Sequence, residues 1–254
     1  MMTQYVAIDG GNSAIKIKMR DEQNPDTTKR WVFSRSSMAD VLVKMKNISP
    51  DIIAVADVVS DDIAQQLKRF LPKTQVFAVQ SQRQCMGVTN AYAQNYQALG
   101  IDRWLSVIEG HYLANGKPCQ VFDLGTANTV DIVDGQGHHL GGQITPGLAA
   151  MKQALYHNTA AVRVCNDQVN KPYEYGTNTQ DSVGYGVISV VASWVNGMRQ
   201  TFLEQFPDGT VLATGGATDA MEINLRQQGV RVEGDLVLDA LLRGLGKQAF
   251  ENRL

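Results

Sequence analysis

The sequence predicts an α/β protein built from two similar halves. Residues 5–9 form an apolar strand that ends in Asp9 and runs straight into the glycine turn Gly10-Gly11-Asn12. Residues 120–123 repeat this grammar: a strand ends in Asp123, and Gly125 follows it as Gly11 follows Asp9. The two Asp-x-Gly units stand close to half the chain apart, and each leads into further strands and then a helix.

Taken in order, Ser13 to Met19 alternates. Ile15, Ile17 and Met19 share one face and Lys16 and Lys18 the other, so residues 5–19 predict a hairpin. Trp31 to Ser34 predicts a third strand. Ser37, with Asp40 three residues on, opens a helix from Met38 to Lys46. Ile52 to Val59 is an apolar, β-branched run, Asp61 to Phe70 has helical spacing, and Val76 to Val79 is a short strand. Gly100 to Trp104 opens a helix with Leu105, Ile108 and Tyr112 on its apolar side.

The second half continues with strands at Asn128 to Val133 and His139 to Ile144 around the turn Asp134-Gly135-Gln136-Gly137. Helices are predicted at Pro146 to Tyr156 and, longer, at Gln180 to Glu204. Val211 to Thr214 is a strand, Ala217 to Gln228 a helix, and Leu236 to Phe250 the last helix. Asn115-Gly116-Lys117-Pro118 is the weakest join, which divides the chain into residues 1–116 and 117–254.

Composition narrows the function classes. The 254 residues are 44% hydrophobic and 19% charged, with a net charge of −2. That suits a globular domain with a real core and provides no basic face for a nucleic-acid backbone. The N-terminus has no basic segment followed by an apolar one, and no stretch reaches the ~18–20 apolar residues of a membrane span. A cytoplasmic protein without a membrane partner is expected. Cys85, Cys119 and Cys165 are too few and too widely spaced for a disulfide framework or zinc site, and are expected as buried small apolar residues. His111, His138, His139 and His157 lack metal-ligand spacing, and His138-His139, beside a turn, is expected to be exposed.

Four segments can carry chemistry. In Asp9-Gly10-Gly11-Asn12-Ser13 the glycines let backbone N–H groups approach an anion, Asp9 can hold Mg²⁺ through water, and Lys16 can reach phosphate oxygens. A tight hairpin capped by its aspartate, with lysines facing water, accounts for the same residues. Asp123-Leu124-Gly125-Thr126-Ala127-Asn128-Thr129 offers a carboxylate, a glycine turn and two hydroxyls. Two such turns can grip a nucleotide's phosphate tail and its cation. In Gly100-Ile101-Asp102-Arg103, Asp102 can orient a substrate hydroxyl and take its proton, and Arg103 can pair with an anion. Asp102 as a simple first-turn helix acid is the plainer alternative. Ala213-Thr214-Gly215-Gly216-Ala217 can lie against an adenosine or be close packing.

In their order and spacing, these segments resemble the type III pantothenate kinases. The resemblance is carried by Asp9 to Lys16, Gly100 to Arg103, Asp123 to Thr129, Gly141-Gly142-Gln143-Ile144-Thr145-Pro146-Gly147, Asn178-Thr179 and Thr214 to Gly216. It implies two ribonuclease-H-like halves of the actin-like ATPase fold with ATP between them. It also implies phosphotransfer from ATP to pantothenate, the first step of coenzyme A synthesis. By resemblance, ATP phosphates lie along Asp9, Gly10, Gly11, Asn12, Ser13, Ala14, Ile15 and Lys16 and at Thr126. Asp102 is the base. Tyr92, Gly100, Ile101, Asp102, Arg103 and Thr179 contact pantothenate, and Asp123 binds a monovalent cation, K⁺ or NH₄⁺. The resemblance further implies a homodimer whose pantothenate pocket is closed by the neighbouring subunit.

This sequence departs from the family pattern at three places. Gly10 replaces a commonly apolar residue, Asn128 a usual Thr, and Tyr96 a frequent Pro. Another small-molecule kinase or phosphatase of the same fold, or a nucleotide-binding regulator without catalysis, are the alternative functions. Phosphotransfer to a different hydroxyl compound, or ATP binding without turnover, would separate them.

Overall fold

The computed structural model describes residues 3–21, 27–60, 62–159, 171–247 and 249–250. The expected Cys165 lies outside the described residues, as does Asp61, the expected start of a helix. The chain divides into two compact units, residues 1–109 with 235–254, and residues 110–234.

The first unit begins with β1 (Gln4–Gly10), β2 (Ala14–Asp21) and β3 (Thr28–Ser34), an antiparallel meander. Val6, Ala7 and Ile8 are all fully buried because β1 is the central strand, covered on both faces. In β2, Ile15 and Ile17 turn inward as the alternation predicts. Then follow α1 (Met38–Ile48), β4 (Ile52–Asp57), α2 (Asp62–Phe70) and β5 (Gln75–Ala78). β4 is parallel to β1 and β5, so the sheet order is β3-β2-β1-β4-β5. Met45, Val41, Ile63 and Leu67 cover Ile8, Ile15, Ile17 and Ile53. Ser37 stands at the start of α1, but its side chain makes no capping bond there.

A two-strand ribbon, β6 (Gln84–Cys85) and β7 (Val88–Thr89), then leads toward α3 (Ile101–Ala114). Met86 and Gly87 turn that ribbon with φ of 46° and 86°, the left-handed pair of a tight hairpin. Leu105 and Ile108 are buried in α3 as expected. Tyr112 is not: near the helix end it is 50% exposed.

The second unit repeats the plan. β8 (Cys119–Leu124), β9 (Ala127–Val133) and β10 (His139–Pro146) form the meander. α4 (Leu148–Asn158), α5 (Thr179–Gln205), β11 (Thr210–Thr214), α6 (Thr218–Gln227) and β12 (Arg231–Val232) follow. Its order, β10-β9-β8-β11-β12, corresponds strand for strand to the first sheet. Phe122, Leu124, Val191, Val195, Phe202 and Met221 form its core. Trp194 packs edge-on to Phe122 at 5.5 Å. Gly110, where the second unit begins, sits where a β-carbon would fall 2.4 Å from a Val121 methyl of β8.

Three expectations are corrected in the second unit and the last helix. β10 extends through Pro146, so α4 starts at Leu148 rather than at the proline. His139 is 3% exposed, not exposed: a bulge after it turns its ring inward, where Nε2 lies 2.9 Å from Asp131 Oδ1. Only His138 is open, bonded to Asp134 at the turn. The last helix, α7 (Leu236–Gly246), follows the second sheet in the chain but packs on β1, β2 and β4 of the first. Its face of Leu238, Leu241, Leu242 and Leu245 is apolar enough to cover the other side of that sheet. Lys18, on the β2 face away from the core isoleucines, is held there by Asp239 at 2.6 Å.

Cys85 and Cys119 are buried, and burial pushes the Cys119 thiol up to about 12. Among the described residues, no helix is long and apolar enough to cross a membrane.

α7 is also fixed by charge. Arg243 Nη2 and Nε donate to the two carboxylate oxygens of Glu109 at 2.6 and 2.9 Å, and Glu109 is 2% exposed. Removing one partner of such a pair strands the other. Arg243→Ala is therefore expected to lower the unfolding free energy by about 3 kcal/mol. Adding Glu109→Gln is expected to recover a substantial part of that loss in chemical denaturation.

Candidate active site

The first turn grows out of strand pairing. Asp9 lies opposite Lys16 across the β1–β2 ladder, and Oδ2 is 3.9 Å from Lys16 Nζ. Asp9 is 9% exposed, so this partner matters: a carboxylate leaving water is costly unless an opposite charge faces it. Gly10 pairs with Ile15, and the Gly11 N–H donates to the Ala14 carbonyl at 3.0 Å, closing a short loop. Asn12 and Ser13 stand exposed at its tip. Ile15 is fully buried, so it offers an anion only its main chain.

Two residues beside this turn escaped the sequence reading. Asp57 ends β4 next to Gly10 in the parallel register, and Arg35 lies 2.8 Å from Asp57 Oδ1. The signal for Asp57 was present: an acid at the carboxyl end of a parallel strand, where α/β sites gather. It was read as part of an apolar run. Arg35 has no motif and could be found only from the fold.

In the same unit, residues 79–100 form a wall pinned by buried side chains. Ser81 Oγ donates to the Leu99 carbonyl at 2.7 Å. Asn90 donates to the carbonyls of Gln82 and Tyr96, both at 3.2 Å, and accepts from the Tyr92 N–H at 2.9 Å. Tyr92 is thereby placed so that its hydroxyl accepts from Arg103 Nη1 at 3.4 Å. Arg103 is 6% exposed, its guanidinium held within the fold rather than in a surface pair.

Asp102 remains partly accessible in the first turn of α3, with Oδ1 accepting the Arg103 N–H at 2.8 Å. A β-carbon on Gly100 would fall 2.6 Å from Asp102 Oδ1, so glycine there leaves room for this orientation. Tyr92, Gly100, Asp102 and Arg103 are thus brought together as the sequence anticipated.

In the second unit, three sequence motifs converge on one turn. The Gly125 N–H donates to Ala127 O at 3.1 Å, Gly147 N–H to Thr126 O at 3.2 Å, and Ala217 N–H to Leu124 O at 2.8 Å. The fit is close. A β-carbon on Gly147 would lie 2.2 Å from the Gly125 carbonyl oxygen. On Gly215, at φ +100°, it would lie 2.5 Å from Asp123 Oδ1. Thr126 is exposed at the tip and Asp123 partly so. Asn128, fully buried, donates to the Pro146 carbonyl at 3.0 Å and ties β9 to the 141–147 segment.

Thr179 is elsewhere in this unit, the first residue of α5, where Asn178 caps the helix by accepting the Asp181 N–H at 2.9 Å. It opens onto a groove of about 710 Å³ between α4 and α5, lined by Met151, Leu155, Thr177, Val183 and Val190.

The oxygen donors here suit hard cations shared with a ligand. Among the described residues, no three of His, Cys, Asp and Glu cluster as a metal cage. Mg²⁺ in phosphoryl transfer commonly uses one or two carboxylates with waters and substrate phosphates, and the single carboxylate of Asp9 fits that mode.

The model of the type III pantothenate kinase family matches residues 5–201. The type III pantothenate kinase of Pseudomonas aeruginosa (strain LESB58) is 30% identical over 242 residues, covering 92% of this chain and 96% of that protein. Among solved structures, one assigned to the Baf transcriptional activator family of Campylobacter jejuni superposes with a TM-score of 0.58 at 21% identity, covering 96% of this chain and 98% of that one. A glucokinase from Balamuthia mandrillaris does so with 0.50 at 8% identity, covering 95% and 93%. The fold is the actin-like ATPase fold, with which the duplicated sheet order is consistent. With its family signature running through most of its length and a relative aligned nearly end to end, this chain belongs to the type III pantothenate kinase family.

Proposed function

We propose that this protein transfers the γ-phosphoryl group of ATP to pantothenate, giving 4′-phosphopantothenate and ADP, the first step of coenzyme A synthesis. The observation that carries the reading is the family match over residues 5–201. It is supported by the accessible Asp102 beside the Tyr92–Arg103 contact.

In this mechanism the glycine turn from Asp9 to Lys16 receives the phosphate tail, with Lys16 offsetting negative charge and Thr126 adding a hydroxyl contact. Gly100, Ile101, Arg103, Tyr92 and Thr179 hold pantothenate, Arg103 pairing with its carboxylate. Asp102 accepts a hydrogen bond from the pantothenate hydroxyl and orients its oxygen at the γ-phosphorus. As the O–P bond forms, the bond to the β,γ-bridging oxygen breaks, ADP leaves with that electron pair, and the hydroxyl proton passes to Asp102. The loose transition state keeps the proton on the alcohol until late, so an ordinary carboxylate suffices. Mg²⁺ bound with ATP, and K⁺ or NH₄⁺ at Asp123, supply positive charge to the phosphate oxygens.

The oligomer belongs to the same proposal. The groove beside Thr179 is open, and Val190, Leu155 and Tyr156 on the same face are 57%, 39% and 47% exposed. A homodimer that covers this face and completes the pantothenate pocket accounts for it. A cytoplasmic location, where ATP and pantothenate meet, goes with it.

Two measurements test the chemistry. Asp102→Asn is expected to lower kcat by about 100-fold or more, with ATP KM little changed. A rate within a few-fold of the parent removes Asp102 from the mechanism. Replacing K⁺ or NH₄⁺ by Na⁺ is expected to raise the ATP KM, and Asp123→Asn is expected to abolish that ion dependence. Equal rates in the two buffers remove the proposed role of Asp123.

A further inference from the structure

The β1–β2 turn is gripped from outside by a residue that no motif contains. The Arg35 main-chain N–H donates to the Ser13 carbonyl at 3.1 Å, and its Nη1 donates to the Gly11 carbonyl at 3.4 Å. One residue thus holds both shoulders of the turn. The guanidinium is fixed from its other side by Asp57, with Nη2 2.8 Å from Oδ1 and 3.2 Å from Oδ2. The Asp57 side chain is 3% exposed and also accepts the N–H groups of Val59 and Ser60 at 3.1 and 3.4 Å. The carboxylate is therefore anchored on its own strand end.

Space for this arrangement exists because residue 10 has no side chain. A β-carbon there would lie 2.7 Å from Arg35 Nη1, 3.2 Å from Asp57 Cγ and 2.6 Å from Ile63 Cδ1. The Ile63 methyl is the end of a flexible side chain and can move. The paired guanidinium cannot move without giving up the Gly11 carbonyl or the carboxylate.

We propose that Arg35, anchored by Asp57 in the space that Gly10 leaves, is a positioning residue for the nucleotide, setting the shape of the Gly11–Ser13 turn. This rests on that turn being the phosphate-binding one. One guanidinium nitrogen on the Asp57 carboxylate, with Nη1 on the Gly11 carbonyl, makes a charge-assisted support that ties the turn to the end of β4. The Arg35 side chain is 23% exposed, so its charge also adds to a local potential favourable to an anion.

Steady-state kinetics of the full chain, with ATP and pantothenate varied separately, test the proposal. Arg35→Ala and Asp57→Asn are each expected to raise the ATP KM about tenfold, while the pantothenate KM stays within about two-fold of the parent. Gly10→Ala is expected to act in the same direction. Combined with Arg35→Ala it adds less than its separate effect, because the group it displaces is already gone. Thermal unfolding identifies the variants that fold, and Arg35→Gln replaces Arg35→Ala if the latter does not.

A folded variant at position 35 with ATP KM within about two-fold of the parent overturns the proposal. So does a pantothenate KM that rises as far as that of ATP, or full additivity with Gly10→Ala. Lys16→Ala separates this failure from failure of the underlying reading. If Lys16→Ala raises the ATP KM and the Arg35 variants do not, only the positioning role is lost. If neither does, the turn is not the phosphate site.

Discussion

An aspartate at the end of a buried strand stays charged only while a cation or a set of N–H donors faces it, and the first unit depends on meeting that condition twice. β1 ends in Asp9, opposite Lys16 on its antiparallel neighbour. β4 ends in Asp57, paired with Arg35 and two backbone N–H groups. The two strands are parallel and adjacent, so both carboxylates come to the same end of the sheet. Strand order thus decides where charge can be kept in a largely apolar body, and the glycine turn grows from that end.

In the second unit the corresponding turn is defined by close backbone packing. The Asp123 turn is packed against two other segments so closely that Gly147 and Gly215 have no room for a β-carbon. Three N–H groups donate to carbonyls across that junction. One turn is therefore braced by an arginine and a carboxylate, the other by glycines and peptide bonds.

Much of this was legible in the sequence because it is local. The alternation of Ile15 and Ile17 with Lys16 and Lys18 specified β2, and the recurrence of Asp-x-Gly at strand ends anticipated two halves of the same plan, which the matching sheet orders bear out. Gly100 to Arg103 was readable as a functional helix start for the same reason. What failed was set by tertiary contact. α7 is apolar on a face that suits either sheet, and nothing in its own residues says it returns to β1 and β2. His139 looked like a turn histidine because the bulge that carries its ring to Asp131 leaves no mark in composition. Met86-Gly87 lacks the Asn or Asp that usually announces a left-handed hairpin turn. Arg35 and Asp57 are far enough apart in the chain that only the fold makes them a pair.

The proposed function rests on one claim: that an alcohol is held beside Asp102 and a triphosphate by the glycine turn. Following ADP and phosphopantothenate together by ³¹P nuclear magnetic resonance tests it most directly. The account predicts that ADP accumulates only when pantothenate is present, in equal amounts with a new phosphomonoester signal. Release of ADP and inorganic phosphate at the same rate without pantothenate, or no turnover with it, would contradict the account.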